Sequence, residues 1–344
     1  MPVRALPSLL IKIPADVQQT PGGSIRIPSC FSGLYGLKPS HHRVISHPHS
    51  MCVVGPIAAT AADLTIAYRI MSQPNPADPV QGCFHPSIPP SPSAKKTIGI
   101  YRSWFDNADP RVLEHCNRAV EHFQTKLGYE VVDITIPYLK ELQLTHGVVC
   151  ITEMAAQHIR RAKTVKDAFA MLGPQPKVFI GVGLQTPALD FYRFNQLREL
   201  IMQHLAFLFQ KHPGLMIVTP TCSAHGWKIS DGDEAYGLTD GNKTLEIMRY
   251  IFLSNMTGCP SVTAPVGYND PEQGEGAVPV GLMAMGEWGA EEQLLAWAAE
   301  AETYLHHVYP DGRRRPDEWV DILALAKGKT GSADSNKIDG VEAS

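Results

Sequence analysis

Apolar residues recur at helical spacing in several windows of the chain. Leu64, Ala67, Tyr68 and Met71 share one face, and Thr60-Ala61-Ala62-Asp63 ahead of them offers a cap, so a helix is expected over 64–71. Val112, Cys116, Ala119, Val120 and Phe123 do the same after Asp109-Pro110, with Gly128 as a stop. That predicts a helix to Leu127. Leu197, Leu200, Ile201, Leu205 and Leu208 mark the clearest helix, 189–211, ended by His212-Pro213-Gly214. Residues 138–172 and Glu291–Tyr304 also read as helical. Short apolar or alternating runs read as strands at Met51–Val54, Thr97–Tyr101, Tyr129–Ile136 and Leu215–Thr219. Ile25 and Ile27 alternate with Arg26 before Pro28, which reads as a short extended segment. The Pro- and Ser-rich 73–94 is an exposed connector. Strand, helix and strand follow one another over 97–136, as parallel strands in a helix-covered sheet do. The expectation is an α/β fold with one mixed β-sheet flanked by helices. Residues 328–344 lose periodicity and read as a disordered tail.

Composition narrows the function. The chain has 344 residues, 44% hydrophobic and 19% charged, with a formal net charge of -4. That balance fits a globular protein and argues against a nucleic-acid partner held by bulk charge. Seven cysteines are scattered without a C-x-x-C pair, so we expect reduced thiols in the cytoplasm and neither a disulfide framework nor a zinc site. His41, His42, His47 and His49 crowd one segment, but Pro48 and the serines between them read as loop. No metal and no cofactor are expected. No run approaches the ~20 apolar residues of a membrane span.

The densest chemistry is Gly22-Gly23-Ser24. Two glycines let the backbone approach closely, and their N–H groups can converge beside the Ser24 hydroxyl. A hydroxyl nucleophile beside preorganised donors is what acyl transfer needs. Alone, such a triplet is a flexible turn more often than a site. A Ser-His-Asp hydrolase would add a Gly-x-Ser-x-Gly elbow, which is absent here.

The longer string is more specific. Gly22-Gly23-Ser24-Ile25-Arg26-Ile27-Pro28, then Phe31-x-Gly33-Leu34-x-Gly36-Leu37-Lys38-Pro39-Ser40, then Gly55-Pro56-Ile57-Ala58 and Asp63, resembles the core of the amidase signature family. Asn255-x-x-Gly258-x-Pro260 and a strand at Val278–Met283 extend the likeness more loosely to about residue 310. The resemblance implies hydrolysis or transfer of carboxamides, with Ser24 as the acyl-enzyme nucleophile. It puts Gly22, Gly23 and Ser24 in the oxyanion hole and Thr221 and Cys222 beside the acyl pocket. Arg26 would hold the loop or a substrate carboxylate, or form a buried ion pair. It treats Lys38 as structural.

The family's catalytic lysine and second catalytic serine precede this string, and Met1–Thr20 matches neither. Pro21 stands where the family has an oxyanion-hole donor, and proline has no N–H. The expectation is therefore a non-matching segment 1–20, a partial amidase domain 21–327 with its N-terminal part missing, and impaired catalysis. Partners would be a small-molecule amide and a second copy of the chain as a homodimer. The competing reading is a non-catalytic remnant that binds a small amide or a partner chain.

Overall fold

Seven strands form a single mixed sheet in a computed structural model that describes residues 23–44, 49–161, 164–170, 172–230, 237–238, 240–273, 276–310 and 312–314. Helix α1 (Arg26–Phe31) leads into β1 (Tyr35–Lys38), β2 (Ile57–Ala58) and α2 (Ala61–Met71). Then come β3 (Thr97–Ile100), α3 (Arg102–Phe105), α4 (Pro110–Leu127) and β4 (Glu130–Asp133). Four helices follow: α5 (Leu139–Arg161), α6 (Val165–Ala170), α7 (Pro174–Gly183) and α8 (Ala188–Lys211). The last elements are β5 (Leu215–Pro220), α9 (Gly241–Ile247), α10 (Phe252–Thr257), β6 (Ser261–Asn269), β7 (Val278–Met285) and α11 (Glu291–Val308). The strand order is β2-β1-β6-β7-β5-β3-β4. β3 runs parallel to β4 and to β5, and the other pairs are antiparallel. The mixed, helix-flanked sheet is the expected one.

Alternation along the strands sorts the core into two layers. Met216, Val218, Leu282 and Ala284 pack with Leu64 and Tyr68 of α2, Phe123 of α4 and Trp297 of α11. Leu215, Ile217, Met283 and Met285 face the other way, toward Leu142 of α5, Leu205 of α8 and Phe252 of α10. β1 obeys the same rule. Tyr35 and Leu37 belong to the first layer, which turns Gly36 and Lys38 to the opposite face, under α1.

Two strand expectations are corrected. Residues 25–27 are not extended: α1 begins at Arg26, and the Ile27 N–H donates to the Gly23 carbonyl at 2.9 Å. Pro28 lies in the first turn of that helix, where a missing N–H costs nothing and φ is already suitable. Three alternating residues are too few to carry a period. Met51–Val54 is irregular too, and pairing waits until β2. Gly55 sets the approach, since a Cβ there would lie 2.1 Å from the Leu37 carbonyl oxygen. The strand read at Tyr129–Ile136 is shorter, Glu130–Asp133. Gly22, residues 1–20 and the tail 328–344 lie outside the described residues. Among the described residues no helix is long and apolar enough to cross a membrane.

Candidate active site

Ser24 sits on a tight turn between Gly23 and α1. Gly23 has φ +90°, and a Cβ on it would meet Ile27 Cδ1 at 2.8 Å, so the turn needs glycine on both counts. Ser24 is half-buried, and its hydroxyl makes no hydrogen bond among the described residues. It lines a cleft whose other walls include Gly23, Arg26, Lys38, the segment 51–53 and Asn255. The interior of the cleft is about 20 Å³, room for one water.

The polar walls are cationic or neutral. Arg26 is buried, and burial pulls its pKa down to about 9, still charged at neutral pH. Its guanidinium donates to Ser254 Oγ and Asn255 Oδ1, each at 2.5 Å, and to the Ile251 carbonyl at 3.2 Å. No carboxylate pairs with it among the described residues, so the buried ion pair allowed for Arg26 is not what forms. Lys38 is only 4% exposed. Its Nζ donates to the Pro39 carbonyl at 2.9 Å, and burial, then the Arg26 charge, lowers its pKa to about 7. Cys52 is a neutral thiol: burial and nearby Glu153 push it up to about 12, which makes it a poor nucleophile. A positive field beside a serine suits an oxyanion.

A family model described as Amidase matches residues 20–295. The chain belongs to the amidase family. It is 30% identical over 323 residues to a fatty acid amide hydrolase from Medicago truncatula, an alignment covering 88% of this chain and 50% of that protein. It is 26% identical over 296 residues to a fatty acid amide hydrolase from Arabidopsis thaliana, covering 82% and 47%. The chain therefore spans about half the length of the fatty acid amide hydrolases it matches. A bacterial aryl acylamidase of the amidase signature family has the same fold, with TM-score 0.65, 22% identity, and 86% and 63% of the two chains covered.

Neither Thr221 nor Cys222 lines the Ser24 cleft, although Cys222 acts electrostatically on Arg26 of its wall. The Thr221 hydroxyl shares a 2.5 Å hydrogen bond with that of Thr263. Cys222 is buried against Cys30 of α1, and burial raises its thiol pKa well above the ordinary value. A cluster at the far end of the 51–53 segment went unread in the sequence. Ser50 donates through Oγ to Glu153 at 2.5 Å and through its N–H at 3.1 Å, and Arg198 donates to Ser50 Oγ at 2.9 Å. Sequence reasoning also missed Lys38 and Asn255 as cleft residues. For Lys38 the signal was the Tyr35-Gly36-Leu37-Lys38 alternation.

Proposed function

We propose that this amidase cleaves the C–N bond of a carboxamide through an acyl-enzyme on Ser24. The observation that carries the reading is a serine on the Gly23 turn, its hydroxyl unbonded among the described residues, in a cleft walled by the buried Arg26 cation. Ser24 Oγ attacks the carbonyl carbon, and the backbone N–H groups of Gly22, Gly23 and Ser24 receive the oxyanion. Arg26 holds the loop rather than the substrate, since Ser254, Asn255 and Ile251 already occupy its donors. Thr221 and Cys222 pack behind α1 and are not assigned to substrate. Similarity to a fatty acid amide hydrolase puts fatty acid amides first in a substrate panel. All seven cysteines are free thiols, which fits a reducing compartment such as the cytoplasm.

The test is hydrolysis of aliphatic, aryl and long-chain carboxamides by the chain and by Ser24→Ala. Ser24-dependent turnover is expected, and a rate of roughly 1 per second or faster would show that residues of this chain supply a full set of proton acceptors. Binding of amides without any Ser24-dependent turnover would favour the remnant reading instead.

A further inference from the structure

Helix α5 buries a histidine on a face that is otherwise apolar or thiol. Leu142, His146, Val149 and Cys150 recur at helical spacing and all are buried, His146 at 2% exposure. The His146 ring lies beside Phe252 of α10, with centroids 6.4 Å apart. Its Nε2 is 3.1 Å from Nδ2 of Asn255, later in α10, and 3.5 Å from Sγ of Cys150. Asn255 lines the Ser24 cleft and His146 does not.

The protons at this contact follow from Arg26. A guanidinium only donates, so the Asn255 atom 2.5 Å from Arg26 Nη2 is the amide oxygen. The amide nitrogen is then the atom that faces His146. Two N–H groups cannot share a hydrogen bond, so Nε2 accepts and carries no proton. The ring is neutral, with its proton on Nδ1. Each alternative buries opposed donors, which is costly. A proton on Nε2 would set N–H against N–H, and turning the Asn255 amide over would set its NH2 against the guanidinium. The surrounding charges agree. Arg26 is still a cation at neutral pH, and an imidazolium one amide away would repel it. Cys150 supplies no counter-charge, since burial, then Cys52 and Glu153, keep its thiol protonated. The Glu153 carboxylate, on the next turn of α5, is engaged by Ser50 and His49.

We infer that His146 is a positioning residue for the Ser24 cleft: by accepting from Asn255 it fixes which end of that amide meets Arg26, and through Arg26 it holds the turn that carries Ser24. Arg26 opens α1 just after Ser24, so a guanidinium that loses its Asn255 acceptor loosens the start of that helix. The hydrogen-bond pattern stands apart from the Ser24 acyl-enzyme reading, and its effect on rate rests on that reading.

The experiment uses the full chain with isotope-labelled histidine, beside His146→Gln, His146→Leu and Ser24→Ala. In a nitrogen–proton correlation spectrum of the unaltered chain at neutral pH, the His146 ring is assigned by its contacts with Phe252. It should show a protonated Nδ1 and a bare Nε2. A proton on Nε2, or on both nitrogens, overturns the inference. The backbone amide resonances of Gly23 and Ser24 should shift in His146→Leu and stay in place in His146→Gln, whose amide oxygen can also accept from Asn255. Labelling of Ser24 by a small fluorophosphonate should slow about tenfold or more in His146→Leu and stay within about threefold in His146→Gln, as displacement of a reacting group predicts. Unmoved Gly23 and Ser24 resonances in a folded His146→Leu overturn the positioning role and leave the nucleophile standing. Absence of Ser24-dependent labelling in the unaltered chain overturns the nucleophile reading and the effect on rate with it. The ring protonation and the amide shifts then still decide the positioning.

Discussion

Arg26 is a cation buried without a counter-ion, and what keeps it there is a set of neutral acceptors. Ser254 and Asn255 lie 228 and 229 residues downstream, and with the Ile251 carbonyl they replace the water that burial removes. Hydrogen bonds to a charged group are each worth about 1.5–3 kcal/mol, and an orphaned buried acceptor costs about 1–3. Arg26→Met, close in volume, should therefore destabilise the fold by roughly 3 kcal/mol or more, read as a lower urea midpoint. A loss under about 1 kcal/mol would mean the network is not what holds the residue. The role of Arg26 was only half legible in the sequence. The Ile25-Arg26-Ile27 context announced a buried charge, but its acceptors belong to α10 and the turn before it, and no local pattern connects the two.

Helix α4 and helix α1 show when an element can be read from its own residues. α4 carries its start and stop locally: Asp109 Oδ1 accepts from the Arg111 N–H at 2.9 Å, Pro110 opens the first turn, and Gly128 closes it at φ 72°. α1 has six residues and no side-chain cap. What makes it a helix is its seat on β1. A Cβ at Gly36 would lie 2.3 Å from Ser29 Oγ and 3.1 Å from the Ile25 carbonyl oxygen. Gly36→Ala should lift α1 from the sheet, costing about 1–3 kcal/mol and displacing Ser24. Gly128→Ala is the control, since nothing lies within 4 Å of its Cβ and only the left-handed φ is strained, at about 1 kcal/mol. Gly36→Ala should slow labelling of Ser24 by a small fluorophosphonate at least tenfold, while Gly128→Ala lowers thermal stability alone. Equal labelling by the two variants would show that α1 does not depend on Gly36 for its position.

At the scale of the whole molecule, the sheet joins distant segments, and that is where local reading fails. β6 lies between β1 and β7, so residues near 37 and 262 pair directly. The cleft inherits this: Ser24, Lys38, Cys52 and Asn255 meet only once β1, α1 and α10 are assembled. Assembly also buries the Lys38 amine, and that has a global consequence. In the unfolded chain its pKa is near ~10.4, and in the fold about 7. Between those values the unfolded chain binds more protons than the folded one, so stability contributed at this site rises with pH. Below pH 7 both states are charged and the fold bears the whole cost of burying an ammonium. Above pH 7 that cost shrinks by up to about 1.4 kcal/mol per pH unit until the unfolded chain also deprotonates. Tyr35 and Cys116, whose pKa values burial raises, work in the opposite direction at alkaline pH. They are common to the chain and to Lys38→Met, so they cancel in the difference. The measurement is urea unfolding of both proteins at pH 6, 7.5 and 9. The stability of the unaltered chain relative to Lys38→Met should climb steadily across that series. A flat difference would show that Lys38 stays charged in the fold.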